Sequence, residues 1–300
     1  MRRALITGIG SFTGPYIARE LALSGFEVFG LSQHALEIEN AEVLVGNILE
    51  PDSLDDMIKQ ARPHVVIHLA AVTYVPHGDV AEMYQTNVVG TRCLLDALTR
   101  QAIAPEKVLL ASSANVYGNA EAASLDESTE FSPENDYAVS KVAMEYMART
   151  WASRLPISVV RPFNYTGVGQ TDKFLIPKIV SHFKQQKTGI ELGNTDVVRD
   201  FSDVRFVASA YRELVEKAEP GEAYNICSGE GHSLQQIIDA MNELAGYKIS
   251  VSVNPDFVRK NEVKKLVGSN KKLLELCPSL KRIPIRDTLE WMYSGDTLVR

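Results

Sequence analysis

The sequence predicts an α/β fold, in which a doubly wound parallel sheet of the Rossmann type carries a smaller, mixed α/β lobe. Short apolar runs alternate with longer segments of helical period between residues 4 and 160, which is typical of a parallel sheet covered by helices on both faces. A glycine-rich turn follows the first apolar run directly. After residue 164 the pattern changes to polar, glycine-rich loops between shorter elements, which indicates a second lobe.

Six apolar runs predict the strands of the sheet. They lie at residues 4–6, 28–31, 43–45, 65–69, 108–111 and 157–160. The segments between them predict helices at 14–24, 51–61, 80–100 and 133–154, where Pro51 and Pro133 suit a first helical turn. A further apolar run near 222–228 predicts a strand that returns to the main sheet. We therefore expect a dinucleotide-binding domain at 1–164 and a lobe at 165–300 that mainly binds substrate.

The composition narrows the class of protein. The chain has 300 residues, of which 45% are hydrophobic and 23% charged, and these values are typical of globular proteins. Its 31 Lys and Arg against 38 Asp and Glu give a net charge of −7, which argues against nucleic-acid binding. Three widely spaced cysteines suggest neither a disulfide framework nor a metal site. With no apolar run long enough to span a membrane, we expect a soluble, cytoplasmic protein.

The turn after the first strand predicts a pyrophosphate-binding loop. A strand, a turn of small residues and a helix start place backbone N–H groups and the positive end of the helix dipole against a phosphate. Serine stands at the middle glycine position of the GxxGxxG pattern, so a turn that merely joins strand to helix is the alternative. The predicted loop residues are Gly8, Gly10, Ser11, Phe12, Thr13 and Gly14.

The end of the second strand bears on which cofactor binds. An acid at this position normally binds the ribose of NAD, but here the strand ends in Ser32 and Gln33. We therefore expect NADP(H) or NAD(H), with a slight preference for NADP(H), and Arg2 or Arg3 as a source of positive charge. Further cofactor contacts are expected at the ends of the third and fourth strands, from Asn47, Ile48, Leu69, Ala70 and Ala71.

Three residues form the predicted catalytic set. Tyr137 and Lys141 are four residues apart and share one face of a helix, so the ammonium group is expected to lower the pKa of the phenol. Ser113 follows the fifth strand and can donate a hydrogen bond to the same substrate oxygen. Such a set moves a proton on or off a hydroxyl or carbonyl oxygen while hydride passes to or from a nicotinamide.

These motifs, in this order, resemble the extended short-chain dehydrogenase/reductase family of nucleotide-sugar epimerases, dehydratases and reductases. The resemblance implies that Ser113, Tyr137 and Lys141 are catalytic, and that Tyr137 and Lys141 also contact the nicotinamide ribose. Asn87, in the run Thr86-Asn87-Val88-Val89-Gly90-Thr91, looks like the family's asparagine that supports the site from behind the cofactor.

The second half of the chain resembles the GDP-mannose branch, and most of all its GDP-4-dehydro-6-deoxy-D-mannose reductases. The segments on which this resemblance rests begin at Arg161-Pro162-Phe163-Asn164 and at Val198-Arg199-Asp200-Phe201. At the position after Arg259, this chain has Lys260 where that branch usually has proline. The resemblance implies that a GDP-sugar is held by Thr73, Ser113, Asn115, Asn164, Lys178, Arg199, Arg259 and Glu262.

The residues after Ser113 bear on the reaction. A 4,6-dehydratase needs an additional acid and base beside this serine, but the chain has Ala114 and Asn115. We therefore expect a 4-ketoreductase whose product is GDP-D-rhamnose or GDP-6-deoxy-D-talose. A nucleotide-sugar 4-epimerase or 4,6-dehydratase with bound NAD remains an alternative, and a non-catalytic dinucleotide sensor is a more remote one.

The family resemblance further implies a homodimer, formed by the helices predicted at 80–100 and 133–154. Their apolar side chains can fill either the seam between two subunits or the core of one subunit. They include Met83, Leu94, Leu95, Leu98, Met144 and Met147.

Overall fold

The structure, a computed structural model, describes residues 1–73, 79–102, 104–120, 122, 124–258 and 262–295. Its main sheet has seven strands, all parallel, in the order β10-β6-β5-β4-β1-β2-β3. These strands are β1 (Arg2–Thr7), β2 (Phe26–Ser32), β3 (Glu42–Val45), β4 (Val65–His68), β5 (Lys107–Ala111), β6 (Ile157–Pro162) and β10 (Ala223–Ile226). The predicted Rossmann-type sheet is confirmed, and the run near 222–228 does return to it, beside β6.

Helices cover both faces of this sheet. They are α1 (Gly14–Leu23), α2 (Pro51–Ala61), α3 (Val80–Tyr84), α4 (Thr91–Thr99), α5 (Asp136–Arg149) and α7 (Val204–Lys217). One apolar cluster joins α1 and α7 to one face, and a second joins α2, α4 and α5 to the other. The continuous apolar runs in the sequence thus become strands that are buried on both sides.

Two predicted helices differ from those observed. The helix predicted at 133–154 spans only Asp136–Arg149, because the side chain of Asn135 accepts a hydrogen bond from the Ala138 N–H and so caps the helix. The helix predicted at 80–100 contains a π-helical turn at Gln85–Gly90 between α3 and α4.

The apolar residues expected at a subunit seam lie mostly inside the protomer. Leu94, Leu95, Leu98 and Met144 belong to the cluster that packs α4 and α5 on the sheet, and Met147 is partly buried against it. Met83, on α3, is also buried.

The lobe is built from two small sheets and three helices. β7 (Asn164–Thr166), β9 (Val198–Asp203), β11 (Gly231–Ser233) and β13 (Lys265–Leu266) form one sheet, while β8 (Gly189–Leu192) and β12 (Ser250–Val253) form the other. A third apolar cluster packs them against α6 (Leu175–Lys184), α8 (Leu234–Ala245) and α10 (Ile285–Ser294), and α9 (Lys271–Leu276) packs on β10. None of these helices, nor any other in the described part of the chain, has the length and apolarity that a membrane crossing requires.

The topology determines where a ligand can bind. The strand order reverses between β1 and β4, because β2 and β3 extend the sheet on one side of β1 while β4, β5 and β6 extend it on the other. In open parallel sheets, ligands bind at the carboxyl ends of the strands around such a switch point. The predicted glycine loop, Ser113 and the segment after β4 all lie at this edge.

Candidate active site

The glycine loop lies directly against the end of β4. Gly8 has a φ of +69°, and a Cβ atom built there would lie 2.7 Å from the backbone N of Ala70. At Gly14 a Cβ would lie 2.0 Å from the carbonyl oxygen of Ile9. Both positions therefore require glycine, Gly8 for its conformation and Gly14 for the close approach of the helix to the loop.

The loop leaves backbone donors for an anion. Within the described ranges, the amide groups of Phe12 and Thr13 donate to no protein atom, and α1 begins one residue later at Gly14, with Pro15 in its first turn. Ser11 is exposed, and its hydroxyl accepts a hydrogen bond from the Gly14 N–H. A glycine-lined turn with free amides at a helix N-terminus fits the pyrophosphate of a dinucleotide.

Tyr165, which the sequence analysis did not single out, joins this loop to the lobe. Its ring stacks on Phe12 with centroids 6.0 Å apart, and its hydroxyl lies 2.8 Å from the Thr13 hydroxyl. No motif indicated this contact, because β7 and the loop are 152 residues apart in the sequence.

The residues expected around the adenosine lie at the ends of β2 and β3. Ser32 ends β2, Gln33 is exposed just after it, and Ile48 is buried near the start of α2. Gly10 is exposed and faces the same region, since a Cβ built on it would lie 3.8 Å from the Ser32 Oγ. Asn47 accepts a hydrogen bond from the Leu49 N–H through its Oδ1 atom.

The role expected of the two N-terminal arginines is wrong. Arg2 forms ion pairs with Glu106 and Glu216, and Arg3 pairs with Glu27. Both arginines begin β1, and the strand then runs to Thr7 before the glycine loop starts. They are at the opposite edge of the sheet from the nucleotide loop and cannot supply charge to a 2′-phosphate there.

Behind the segment after β4, Asn87 and His68 form a hydrogen-bonded support. Asn87 is fully buried, bonds to both the N–H and the carbonyl of Val72, and donates to the Ser140 hydroxyl of α5. His68 lies between the hydroxyls of Thr7, at 2.6 Å, and Thr91, at 2.8 Å. Thr91 in turn donates to the Asn87 carbonyl, so the supporting role expected of Asn87 has a structural basis.

The charge state of His68 follows from this burial. Burial, followed by the positive charge of Lys141, lowers the pKa of His68 to about 3. Because Thr91 gives its proton to Asn87, a neutral His68 donates from Nε2 to Thr91 and accepts at Nδ1 from Thr7. This neutral ring bridges Thr7 and Thr91.

Leu69, Ala70 and Ala71 follow β4 and are partly buried beside the glycine loop, whereas Thr73 is exposed at the end of the described part of this segment. The small side chains at 70 and 71 let the loop backbone approach, as the short distance from Gly8 to Ala70 shows. This is the place where a dinucleotide crosses the sheet edge in such folds.

The predicted catalytic residues meet at the carboxyl end of β5. Ser113 follows the strand, Tyr137 lies in the first turn of α5, and the Ser113 hydroxyl is close enough to the phenol to oppose the effect of burial on its pKa. The Lys141 Nζ lies 5.9 Å from the centroid of the Tyr137 ring and donates to the Ala111 carbonyl at 2.8 Å. The spacing of four residues therefore brings the two side chains together as expected.

The expected lowering of the Tyr137 pKa is wrong for this structure. Burial raises the pKa of the phenol, and the hydrogen bond with Ser113 only partly opposes that effect. Burial also lowers the pKa of Lys141 to about 8, against the opposing charge of Glu145. The phenol therefore holds its proton at neutral pH, which suits a proton donor.

A buried ion pair beside this set was not foreseen. Glu145 binds Arg161 through two hydrogen bonds of 3.0 and 2.7 Å, and the side chains are only 2% and 3% exposed. The Ser112 hydroxyl also donates to Glu145, at 2.5 Å. Arg161 further donates to the Tyr117 hydroxyl. The available signal was a glutamate four residues after Lys141 on a buried helix face, together with an arginine inside an apolar strand.

Four of the predicted sugar-nucleotide residues, Asn164, Lys178, Arg199 and Glu262, lie on the lobe, and two of them pair. The Arg199 Nη2 donates to Glu262 at 2.6 Å. On the neighbouring strand β7, Asn164 donates to the Asp200 carbonyl at 3.4 Å. Lys178, on α6, donates to the Glu191 carbonyl at 2.8 Å. The structure does not unite Lys178 with the Arg199–Glu262 pair, and Arg259 is outside the described residues.

Asn115, expected to contact the sugar, points to Ser113. Its backbone N–H and its side-chain Nδ2 lie 3.2 and 3.1 Å from the Ser113 Oγ. Ala114, beside it, is buried. Neither of the two residues after Ser113, Ala114 and Asn115, has an acidic side chain.

Comparisons with known proteins identify the family of this chain. The sequence profile of the family described as GDP-mannose 4,6 dehydratase matches residues 5–276. GDP-6-deoxy-D-talose 4-dehydrogenase of Aggregatibacter actinomycetemcomitans is 34% identical, over 99% of this chain and 98% of that protein. GDP-6-deoxy-D-mannose reductase of Pseudomonas aeruginosa is 33% identical, over 98% and 96%.

Solved structures show the same fold. A Burkholderia cenocepacia protein provisionally named an epimerase has a TM-score of 0.92 at 45% identity, covering 98% of this chain and 97% of its own. RMD from Pseudomonas aeruginosa, complexed with NADPH, has a TM-score of 0.83 at 32% identity, covering 97% and 98%. The chain belongs to the GDP-mannose 4,6-dehydratase family of short-chain dehydrogenase/reductase enzymes, and the resemblance noted from its motifs is confirmed.

Proposed function

We propose that the protein is an NAD(P)H-dependent 4-ketoreductase that acts on a GDP-4-dehydro-6-deoxyhexose. One observation carries the proposal: Ser113, Tyr137 and Lys141 are assembled, while Ala114 and Asn115 occupy the positions where a dehydratase needs its additional acid and base. Glu145 cannot replace that acid, because it is buried and bound to Arg161. The two relatives, one named a 4-dehydrogenase and the other a reductase of GDP-6-deoxy sugars, support the same reaction.

Each residue has a defined task in this reaction. Bound NAD(P)H would supply hydride to C4, and the glycine loop from Gly8 to Gly14 would hold its pyrophosphate. Tyr137 gives its proton to the C4 oxygen, and Ser113 donates a hydrogen bond to the same oxygen. The ammonium of Lys141 stabilises the negative charge left on the phenol. Because burial lowers the pKa of Lys141 to about 8, this stabilisation is lost in alkaline solution.

The substrate and cofactor contacts form part of this proposal. Arg199, with Glu262, would hold the phosphates and hydroxyls of the GDP-sugar, assisted by Arg259 and by Asn164. The remaining sugar contacts expected from the sequence are Thr73, Ser113, Asn115 and Lys178. For the cofactor, a slight preference for NADPH depends on β2 ending without a carboxylate at Ser32, and the complex of RMD with NADPH supports it.

A homodimer and a cytoplasmic location complete the proposal. Val89, Val139 and Tyr146 are 39%, 39% and 54% exposed on the π-helical turn and on α5, which contact one another. Two such helix surfaces can pair around a two-fold axis. The three free cysteines suit a reducing compartment.

The deciding assay couples GDP-mannose, a 4,6-dehydratase and this protein, and follows the absorbance of NADPH and, separately, of NADH. Oxidation of either cofactor that depends on the dehydratase supports the ketoreductase, and NMR of the product separates the rhamno from the talo configuration at C4. If this protein alone, without the dehydratase, alters GDP-mannose or another sugar nucleotide and oxidises no cofactor, the 4-epimerase or 4,6-dehydratase replaces the ketoreductase; the Burkholderia protein is provisionally named an epimerase.

A further inference from the structure

The hydroxyl of Ser113 has an unusual set of hydrogen-bond partners. Ser113 has extended backbone geometry, with φ −160° and ψ 148°, and precedes a short 3-10 turn at Ala114–Tyr117. Its oxygen accepts from the Asn115 N–H at 3.2 Å and from the Asn115 side-chain amide at 3.1 Å. A serine oxygen has two acceptor positions and one proton. Asn115 alone therefore occupies both acceptor positions of Ser113.

This occupancy fixes the direction of the remaining hydrogen bond. Ser113 also faces the phenol of Tyr137, where its hydroxyl opposes the rise in the pKa of the phenol that burial causes. Because Asn115 fills both acceptor positions, Ser113 can donate toward the Tyr137 oxygen but cannot accept the proton of the phenol. The proton of Tyr137 is then left for the substrate, and the proton of Ser113 can turn to the same substrate oxygen.

The other groups around Tyr137 do not impose this direction. Lys141, on the same helix, donates to the Ala111 carbonyl, and Tyr165 of β7 is bonded to Thr13. Tyr211 of α7 interacts electrostatically with Tyr137 and Tyr165, and the pKa of its own phenol is raised well above the ordinary value by burial.

Two further ionisable groups face Lys141 in this cluster. His68 of β4 is neutral at physiological pH, and Glu145 is paired with Arg161. The charge of Glu145 raises the pKa of Lys141, and the group that lowers the pKa of Tyr137 is Ser113.

We propose that Asn115 is a positioning residue, which orients the Ser113 hydroxyl so that both Ser113 and Tyr137 donate to the ketone oxygen of the substrate. This inference rests on the proposed 4-ketoreductase function. It reassigns Asn115 from contacting the sugar to directing proton donation. It also gives a reason for an amide here, because a carboxylate would accept the proton of Ser113 and reverse the hydrogen bond.

The test compares Asn115→Ala and Asn115→Asp with the wild type in the coupled assay. Asn115→Ala removes one donor to Ser113, and we expect kcat to fall about tenfold with little change in the KM of the sugar nucleotide. Asn115→Asp has almost the same size but puts an acceptor beside Ser113, and we expect a fall of about 100-fold. With 4-deuterated NADPH, the isotope effect on kcat should increase in both variants, because the chemical step becomes slower.

The pH profile of Asn115→Asp gives a second signature. As the pH falls toward the ordinary pKa of aspartate, about 3.9, the carboxylate gains a proton and again can donate. The ratio of mutant to wild-type kcat should therefore rise on the acid side, which a merely structural defect would not produce. Asn119→Asp is the matched control, since Asn119 is exposed and its side-chain oxygen remains able to accept from the Lys264 N–H.

A double-mutant cycle tests whether Asn115 acts through Ser113. In a Ser113→Ala background, Asn115→Ala should cause almost no further loss of kcat, whereas independent effects would add. Tight NADPH binding and an unchanged melting temperature establish that each variant is folded. A raised KM with unchanged kcat, or fully additive losses, would overturn the proposal. If the wild type itself oxidises no NADPH or NADH with the ketone, the proposed function fails instead.

Discussion

Replacing Glu145 with glutamine tests how the buried ion pair supports the catalytic lysine. The Arg161 side chain is only 3% exposed and receives two hydrogen-bonding oxygens from Glu145, at 3.0 and 2.7 Å. Breaking a buried pair by neutralising one partner costs about 3–5 kcal/mol, because the other charge stays buried. Glutamine retains one acceptor oxygen, so we expect a loss near the lower end, about 3 kcal/mol. Urea unfolding monitored by circular dichroism measures it.

The same substitution should change the pH dependence of the reaction. The charge of Glu145 raises the pKa of Lys141, while burial lowers it to about 8. Without that charge the pKa falls below about 8, so the ammonium is lost at lower pH. The alkaline decline of kcat should therefore begin at a lower pH than in the wild type.

A matched control identifies what would refute this reasoning. Glu243→Gln removes the same charge from an exposed pair with Arg286, and it should change neither unfolding nor the pH profile appreciably. If Glu145→Gln unfolds like this control, the buried pair does not stabilise the fold. If its kcat declines at the same alkaline pH as in the wild type, Glu145 does not support the charge of Lys141.

Four further substitutions test other parts of the structure. Tyr137→Phe should lower kcat at least about 100-fold while NADPH binding, measured by fluorescence, is retained, because only the proton donor is lost. Arg199→Lys should raise the KM of the GDP-sugar more than it lowers kcat, in steady-state kinetics, if its forked donors hold a phosphate equally in the ground and transition states. Gly118→Ala places a Cβ 1.6 Å from the Ser132 carbonyl at φ +50°, and urea unfolding should show a loss of at least about 1–3 kcal/mol. Tyr146→Glu should weaken subunit association in sedimentation experiments, and an unaltered sedimentation coefficient would argue against this dimer surface.

The sheet could be predicted because its strands are buried on both faces. Segments such as Val65–His68 have no exposed position, so they appear as unbroken apolar runs in the sequence. Helix ends were less accurate, because the polar residue Asn135, and not Pro133, caps the start of α5. The π-helical turn at Gln85–Gly90 could not be foreseen, since nothing in its local sequence separates it from an α-helix.

In the site, too, residues whose geometry is determined locally could be predicted, whereas contacts between residues far apart in the sequence could not. Gly8, Gly14, Tyr137 and Lys141 were recognisable because a turn or a helix face determines their geometry locally. The expectation that Arg2 supplies positive charge to the cofactor was wrong, because its acidic partner Glu216 is 214 residues away in the sequence.

The predicted direction of the Tyr137 pKa shift was wrong for a related reason. The spacing of Tyr137 and Lys141 correctly places a cation near the phenol, but it contains no information about desolvation. Burial acts on both groups and moves the pKa of the phenol up and that of the ammonium down. Burial is a property of the assembled fold, so the sign of the shift could be known only from the structure.

The catalytic helix explains why these residues depend on one another. Tyr137, Lys141 and Glu145 are one helical turn apart on α5, and they face three consecutive residues at the carboxyl end of β5: Ser113, the Ala111 carbonyl and the Ser112 hydroxyl. A shift of the strand by one residue would break all three contacts at once. The buried charge of Glu145 therefore does more than stabilise the fold, because it holds Ser112 and thereby fixes the position of the neighbouring Ser113. Within that fixed frame, a neutral Asn115 leaves the site able to donate protons to a ketone and without the acid that dehydration requires.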